Sequence, residues 1–201
     1  MPGTLTEVVL KKQKLIYGVG INDANYVVNQ TANGVKVRCP FYIVWCDILR
    51  RCYSKNYHIK YPTYSNCTVC SEWFRFSTFK AWMEKQNWFK HEIDKDLLVK
   101  GNTHYSPHTC VFITHKTNSF IIEGTSRKGE CMLGVCRVSN SNKYHAQCKN
   151  PFSNKKVHLG YFNSELLAHE KWKSYKHQLA CELAEFETDP RAKEALITRY
   201  L

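Results

Sequence analysis

The chain has 201 residues, and its 43% hydrophobic content with five tryptophans is enough for ordinary cores, which excludes a disordered chain. Its 29 lysines and arginines against 17 aspartates and glutamates give a formal net charge of +12, the balance expected of a nucleic-acid partner. No run approaches the roughly 18 apolar residues of a membrane span, and no secretory hydrophobic region precedes Lys11 and Lys12. We therefore expect a cytoplasmic protein without membrane contact, whose ten cysteines are thiols or metal ligands rather than disulfides.

The first part of the sequence predicts an extended arm followed by two helices. Residues 1–35 are rich in Asn, Gly and Asp, which favours an arm with a short strand or hairpin. Apolar residues at helical spacing predict one helix over 41–53 and another over 74–86. Between them we expect a polar loop at 54–65 and a short strand at 67–72. The aromatic residues of the second helix are assigned to the core rather than to a base-stacking platform.

From His91 onward the pattern changes to a strand, a long loop, a second strand and a short helix. These elements are predicted over residues 92–98, 99–109, 110–113 and 116–122. This order is the skeleton of a ββα-metal nuclease site, in which a base on the first strand activates water and a residue on the helix holds a divalent metal. Asp94 and Asp96 would share one face of the predicted strand and reach the same cation.

Three further residues complete this candidate site. Asn102 lies in the loop, where an asparagine can orient the base, and Asn118 lies on the helix. In this hypothesis Mg²⁺ or Mn²⁺ is held by Asp94, Asp96 and Asn118, and Lys95 meets the phosphate. Nearby histidines are the alternative source of the general base, namely His91, His104, His108 and His115.

The C-terminal part predicts a small basic sheet followed by a helix, after a linker at 124–130. Alternating runs at 134–138, 143–149 and 155–162 are separated by turn residues, and a helix follows over 164–186. The middle run would turn its small and aromatic residues toward the helix, namely Tyr144, Ala146 and Cys148. Its polar residues would face outward, namely Lys143, His145, Gln147 and Lys149.

The outward face suits duplex DNA, because lysine contacts phosphate and glutamine contacts base edges in the major groove. Predicted phosphate contacts are Lys143, Lys149, Lys155 and Lys156. Gln147 and Arg137 are the candidate base-contacting residues. The alternative is a solvated basic sheet in an unrelated role, and structured RNA is a weaker variant of the nucleic-acid hypothesis.

The cysteines offer one metal hypothesis of their own. Cys67 and Cys70 have the spacing of two ligands in a tetrahedral zinc site, which Cys52 and Cys110 would complete. No second closely spaced pair is present, so this is the minor alternative. We interpret Cys46, Cys52 and Cys148 as small buried hydrophobic residues.

The C-terminal sheet resembles the three-stranded DNA-binding domain of plant Apetala and ethylene-response factors, which also occurs beside nucleases in phage. The matching residues are Gly134-Val135, Lys143-Tyr144-His145-Ala146, Leu159-Gly160-Tyr161-Phe162 and Ala168. The resemblance implies that four residues face DNA, namely Gln147, Lys149, Lys156 and His158.

From about Phe41 onward the chain also resembles phage HNH-family proteins, including homing-type endonucleases that join such a core to a basic sheet. The matching motifs include Trp45-x5-Arg51-Cys52-Tyr53, Asp94-Lys95-Asp96, Asn102, Tyr105-Ser106-Pro107 and Cys110-Val111-Phe112. The family's usual first-strand histidine is replaced by Asp94-Lys95-Asp96. The resemblance implies a metal-dependent DNA endonuclease acting in an infected bacterial cell. The alternative is a catalytically silent DNA-binding regulator, or an inhibitor of a host DNA-processing or defence system with a host protein partner.

These features together predict an α+β protein. It would consist of an N-terminal arm at 1–35, a degenerate ββα-metal (HNH-like) core at 36–123, a three-stranded antiparallel sheet packed on a helix at 124–187, and a C-terminal helix at 188–201.

Overall fold

The computed structural model describes residues 14–122 and 131–201, and in these residues the protein is a mixed α+β chain. The chain divides into two compact units. The described part of the first unit is residues 14–83 with residues 103–105, and that of the second is residues 84–102, 106–122 and 131–201. The predicted linker at 124–130 and residues 1–13 of the predicted arm lie outside the described residues.

In its described residues, the first unit contains a hairpin, three α-helices, two short 3-10 helices (Pro62–Tyr64 and Ser71–Phe74) and a two-residue parallel bridge. Its strands are β1 (Asn29–Ala32), β2 (Val35–Arg38), β3 (Thr68–Val69) and β5 (His104–Tyr105). Its helices are α1 (Pro40–Tyr53), α2 (Lys55–Lys60) and α3 (Phe76–Met83). Strands β1 and β2 are antiparallel, and β3 pairs in parallel with β5.

The core of the first unit is aromatic. Trp45, Trp73, Phe76 and Phe79 are all buried, and the indole Nε1 of Trp45 donates to the carbonyl oxygen of Trp73 at 2.7 Å. The rings of Trp73 and Phe79 meet edge to face with centroids 5.0 Å apart. These contacts confirm that the buried aromatic residues of the second predicted helix build the core.

Two predictions for the first unit were wrong. The predicted loop at 54–65 contains α2, because the amide of Tyr57 donates to the Ser54 side chain and the Arg50 guanidinium lies 4.9 Å from the Tyr57 ring centroid. The predicted loop at 99–109 contains β5, whose His104 pairs with Thr68 of β3. In both places a tertiary contact orders a segment whose composition is typical of loops.

The second unit combines a β-hairpin, a three-stranded sheet and three helices. Its strands are β4 (His91–Asp94), β6 (Val111–Thr114), β7 (Val135–Arg137), β8 (Tyr144–Lys149) and β9 (Lys156–Phe162). Its helices are α4 (His115–Ile121), α5 (Glu165–Ala184) and α6 (Pro190–Thr198). Strand β4 pairs antiparallel with β6, and the three-stranded antiparallel sheet has the order β7-β8-β9.

One hydrophobic core serves the whole second unit. It includes Ile113 of β6, Phe120 of α4, Cys148 of β8, Trp172 of α5 and Leu196 of α6. The residues before and after the predicted boundary at 123/124 therefore pack in one cluster, and the chain divides between residues 83 and 84 instead. Hydrophobic periodicity locates elements, but it does not show which elements share a core.

The predicted order of strand, loop, strand and helix is confirmed at β4, β6 and α4, whereas the length of its first strand was wrong. Strand β4 ends at Asp94, whose Oδ1 accepts hydrogen bonds from the amides of Asp96 at 2.8 Å and Leu97 at 2.6 Å. This side-chain turn ends the strand, because it turns the backbone away from β6. Asp96 therefore does not share a strand face with Asp94.

The three-stranded sheet and its helix are confirmed. Ala146 and Cys148 are buried on the face that packs against α5, as the alternation of β8 predicts. The helix spans 20 residues, and Trp172 is its largest buried side chain. This packing leaves the opposite face of the sheet without a covering helix among the described residues.

Candidate functional site

The outer face of the sheet, opposite α5, is shaped by a β-bulge. The register pairs Ala146 with Gly160 but Gln147 with His158, so Leu159 is the extra residue of β9. Simple alternation from Tyr161 would turn His158 toward α5. The bulge instead places His158 on the same face as Tyr161.

The outer face is therefore formed by cross-strand pairs of polar side chains. His145 is opposite Tyr161, Gln147 is opposite His158, and Lys149 is opposite Lys156. Cys136 of β7 joins them as the neighbour of His145. No carboxylate occupies any position of this face in the described strands. The face presents cations, imidazoles, an amide and a phenol, which are the groups that contact phosphates and base edges.

Three rings form a cluster at the centre of this face. The Nε2 of His145 lies 2.6 Å from the Nδ1 of His158, and the Tyr161 centroid lies 5.1 Å and 4.9 Å from the two imidazole centroids. Partial burial, and then the proximity of His158, lower the pKa of His145 below its ordinary value. The lowered pKa favours the neutral form of His145, and Lys149 and Lys156 add positive charge to the face.

The structure separates the predicted DNA-contacting residues into three groups. His145, Gln147, Lys149, Lys156 and His158 share the outer face. Lys143 and Lys155 are exposed and lie outside the strands, Lys143 directly before β8 and Lys155 directly before β9. Arg137 pairs with Tyr144, which places it on the face that packs against α5, although its side chain is exposed at the edge. Arg137 is therefore not among the outward-facing residues.

A second group of polar residues lies on β4 and α4. The Nδ1 of His115 lies 2.7 Å from Oε1 of Glu92, and the side-chain nitrogen of Asn118 donates to Oε2 of Glu92 at 2.5 Å. The Nε2 of His115 lies 3.4 Å from the hydroxyl oxygen of Ser119. Glu92 thus holds one nitrogen of an exposed imidazole, and the other nitrogen contacts Ser119. Sequence reasoning missed Glu92, although its alternation with Asp94 on one strand face was an available signal.

The other predicted catalytic residues serve the turn after β4. Burial raises the pKa of Asp94 despite its two amide hydrogen bonds, and the Lys95 ammonium contacts the carboxylate of Asp96. The side-chain nitrogen of Asn102 donates to the carbonyl oxygen of Lys95 at 2.8 Å. Asn102 therefore lies next to Asp94-Lys95-Asp96, where it stabilises the backbone of the turn.

Each of the predicted metal ligands contacts another group of the protein. Asp94 is occupied by backbone amides, Asp96 contacts Lys95, and Asn118 is bonded to Glu92. Within residues 14–122 and 131–201, no group of three or more His, Cys, Asp or Glu side chains is positioned to hold a metal. For the predicted zinc ligands, burial raises the pKa of the Cys70 thiol to about 11, and Cys52, Cys67 and Cys110 are buried.

Comparisons of the chain with protein-family models, with curated proteins and with solved structures found no match. In the described residues, no helix combines the length and the apolar character needed to cross a membrane.

Proposed function

We propose that the protein binds double-stranded DNA through the outer face of the β7-β8-β9 sheet. The observation that supports this most directly is the composition of that face, where Gln147 and His158 are flanked by Lys149 and Lys156. A two-stranded β-ribbon fits the major groove, where an amide side chain can contact base edges while lysines contact the phosphates on either side. The formal net charge of +12 adds a sequence-independent attraction to the polyanion.

The bulge is the feature that makes the face suitable. Because it turns His158 outward, the central pair of the ribbon is a histidine opposite a glutamine rather than an apolar pair. In the ring cluster with Tyr161, a hydrogen bond between the imidazoles and tilted ring contacts fix the orientation of both imidazoles. The face is thus ordered before DNA arrives, which reduces the entropy lost on binding.

Replacing Lys149 by alanine is expected to weaken binding to duplex DNA and to reduce the slope of log affinity against log salt concentration by about 1, as the loss of one phosphate contact requires. The measurement is fluorescence anisotropy of a labelled duplex across a salt series. Lys171→Ala is the matched control, because Lys171 is an exposed lysine on α5, the helix that packs on the other face of the sheet. Equal slopes for the two variants would remove Lys149 from the interface.

A second candidate function is DNA cleavage by the β4-β6-α4 module. The observation in its favour is the contact between Glu92 and His115, because a carboxylate that holds one imidazole nitrogen leaves the other nitrogen oriented to accept a proton. In this proposal His115 is the general base and Glu92 orients it, in place of Asp94 and Asp96. Dependence on Mg²⁺ or Mn²⁺ is part of the same proposal and is tested directly.

We expect His115→Ala to reduce nicking of supercoiled plasmid by about 100-fold, the usual contribution of a general base. Asp94→Asn is the matched comparison, because asparagine can accept the same two backbone hydrogen bonds and preserve the turn. The assay is run with Mg²⁺, with Mn²⁺ and with EDTA. Loss of nicking in Asp94→Asn but not in His115→Ala would show that the aspartates, and not His115, act in catalysis. Absence of nicking by the parent protein, with salt-sensitive DNA binding retained, would favour a regulator or an inhibitor of a host system.

A further inference from the structure

The β1-β2 hairpin of the first unit turns a polar face toward helix α1. Its register pairs Asn29 with Arg38 and Thr31 with Lys36, so these four side chains share one face and line the space beside α1. Val35 alternates onto the opposite face and is 64% exposed. If the hairpin only covered a hydrophobic core, its valines would face α1. Cationic and polar side chains face α1 instead.

The space between the hairpin and α1 is an open cavity of about 530 Å³, the size of a small-molecule site. Three cations line it, namely Lys36, Arg38 and Arg50. Asp47 is the acidic residue among the described lining, and both Arg50 and Arg51 form ion pairs with it. The cations of the hairpin therefore give the cavity an excess of positive charge, which selects an anionic ligand.

The aromatic residue Tyr17 lies at the rim of this cavity and has an unfavourable backbone conformation. Tyr17 has a φ of +51°, in the left-handed region that residues other than glycine rarely adopt. Ile16 and Gly20 exchange two backbone hydrogen bonds of 2.8 Å around it. A Cβ atom at Gly20 would lie 2.4 Å from Cδ1 of Leu49, so the turn is packed closely on α1. Tyr17 is 40% exposed, so its ring is accessible to a ligand.

The other wall contains the phenol of Tyr42, whose hydroxyl hydrogen-bonds to the side chain of Cys46. Tyr42 of α1 is buried among the aromatic residues of the first unit, with ring centroids 5.5 Å from Trp45 and 5.2 Å from Phe76. Burial raises the pKa of its hydroxyl to about 12, so it keeps its proton throughout the physiological range. Cations, a protonated phenol and an exposed ring thus surround one cavity.

We infer that this cavity binds a nucleotide unit, with its phosphate against Lys36 and Arg38 and its base stacked on Tyr17. Cationic side chains that follow a phosphate beside an aromatic ring that accepts a base are the usual means of holding single-stranded nucleic acid. A free nucleotide and a nucleotide within a single strand offer the same chemistry. The site lies in the first unit and is separate from the duplex-binding face proposed above.

The test uses the full chain and isothermal titration with four probes: a nucleoside 5′-monophosphate, the same nucleoside, inorganic phosphate, and a short single-stranded oligodeoxynucleotide. We expect the monophosphate or the oligodeoxynucleotide to bind more tightly than the nucleoside or the phosphate alone. Arg38→Met is expected to weaken that binding about tenfold, through the lost charge-assisted hydrogen bonds. Tyr17→Asn is expected to weaken it about tenfold through lost stacking, because asparagine tolerates the same positive φ.

Lys60→Met is the matched control, because Lys60 is an exposed lysine of the first unit that does not line the cavity. Binding of the oligodeoxynucleotide without the monophosphate would identify a single strand as the source of the unit. Absence of saturable binding by either probe would overturn the inference, as would equal losses in Arg38→Met and Lys60→Met. Phosphate binding as tight as the monophosphate would overturn the role of Tyr17.

Discussion

Replacing Gly134 by alanine is expected to destabilise the second unit by about 3 kcal/mol, the largest effect we anticipate for a single methyl group in this chain. Gly134 has a φ of +77°, and a Cβ atom there would lie 2.0 Å from Cδ1 of Trp172. The indole cannot move aside easily, because it is buried in the core of the unit and stacked on His169 with ring centroids 5.4 Å apart. Urea unfolding followed by tryptophan fluorescence measures the loss.

Gly101→Ala is the matched control for this substitution. Gly101 lies in the same unit with a φ of +76°, and a Cβ atom there would have no neighbour within 4 Å. Gly101→Ala is expected to lower the free energy of unfolding by about 1 kcal/mol, through the left-handed backbone conformation alone. The difference between the two variants isolates the collision with Trp172. Equal free energies of unfolding would show that the sheet shifts to accommodate the methyl group.

Replacing Glu187 by alanine is expected to cost about 3 kcal/mol of unfolding free energy in the same unit. The carboxylate of Glu187 is 2% exposed, and its Oε1 accepts hydrogen bonds from the hydroxyls of Thr114 at 3.0 Å and Thr117 at 2.5 Å. Thr114 is the N-cap of α4, so Glu187 stabilises the first turn of that helix from outside it. Alanine would leave two hydroxyl groups without this acceptor in a site closed to water.

Two comparison variants make the Glu187 result specific. Glu187→Gln keeps a side-chain oxygen that accepts the same hydrogen bonds, and it is expected to lose less than half as much stability as alanine does. Glu185→Ala removes an exposed carboxylate two residues away and is expected to change stability by less than about 0.5 kcal/mol. Thermal unfolding of the three variants provides the ranking. A loss for Glu185→Ala as large as that for Glu187→Ala would point to net charge rather than to the buried hydrogen bonds.

The fold of the C-terminal part was predictable because its signals are local. Alternation in β8 separates Ala146 and Cys148 from Gln147 and Lys149, and the register of the sheet agrees with it. The bulge at Leu159 was not predictable. It is a shift in the pairing of β9 with β8, and the order of residues along β9 alone does not show that pairing. The identity of the outer face depends on that residue, so the candidate interface could be placed only approximately.

The candidate catalytic residues were predicted less well, for a related reason. Asp94 and Asp96 have the spacing of two residues on one strand face, but an aspartate at the end of a strand also favours a turn by accepting backbone amides. The turn is formed here, because Asp94 accepts the amides of Asp96 and Leu97, and Leu97 is buried in the core of the unit. The contact of Glu92 with His115 joins residues far apart in the sequence, and only tertiary structure brings them together.

The strand β5 has a consequence for the order in which this protein is made. The first unit is not one continuous stretch, since residues 103–105 return to pair with β3 after the chain has begun the second unit. During synthesis, residues up to 83 leave the ribosome before β5, the strand that pairs with β3 in the first unit. Completion of the first unit must therefore wait until Tyr105 has emerged, when β4 is already available. A fragment that ends at residue 83 lacks β5, the partner of its strand β3. A fragment that begins at residue 84 contains β5 without β3.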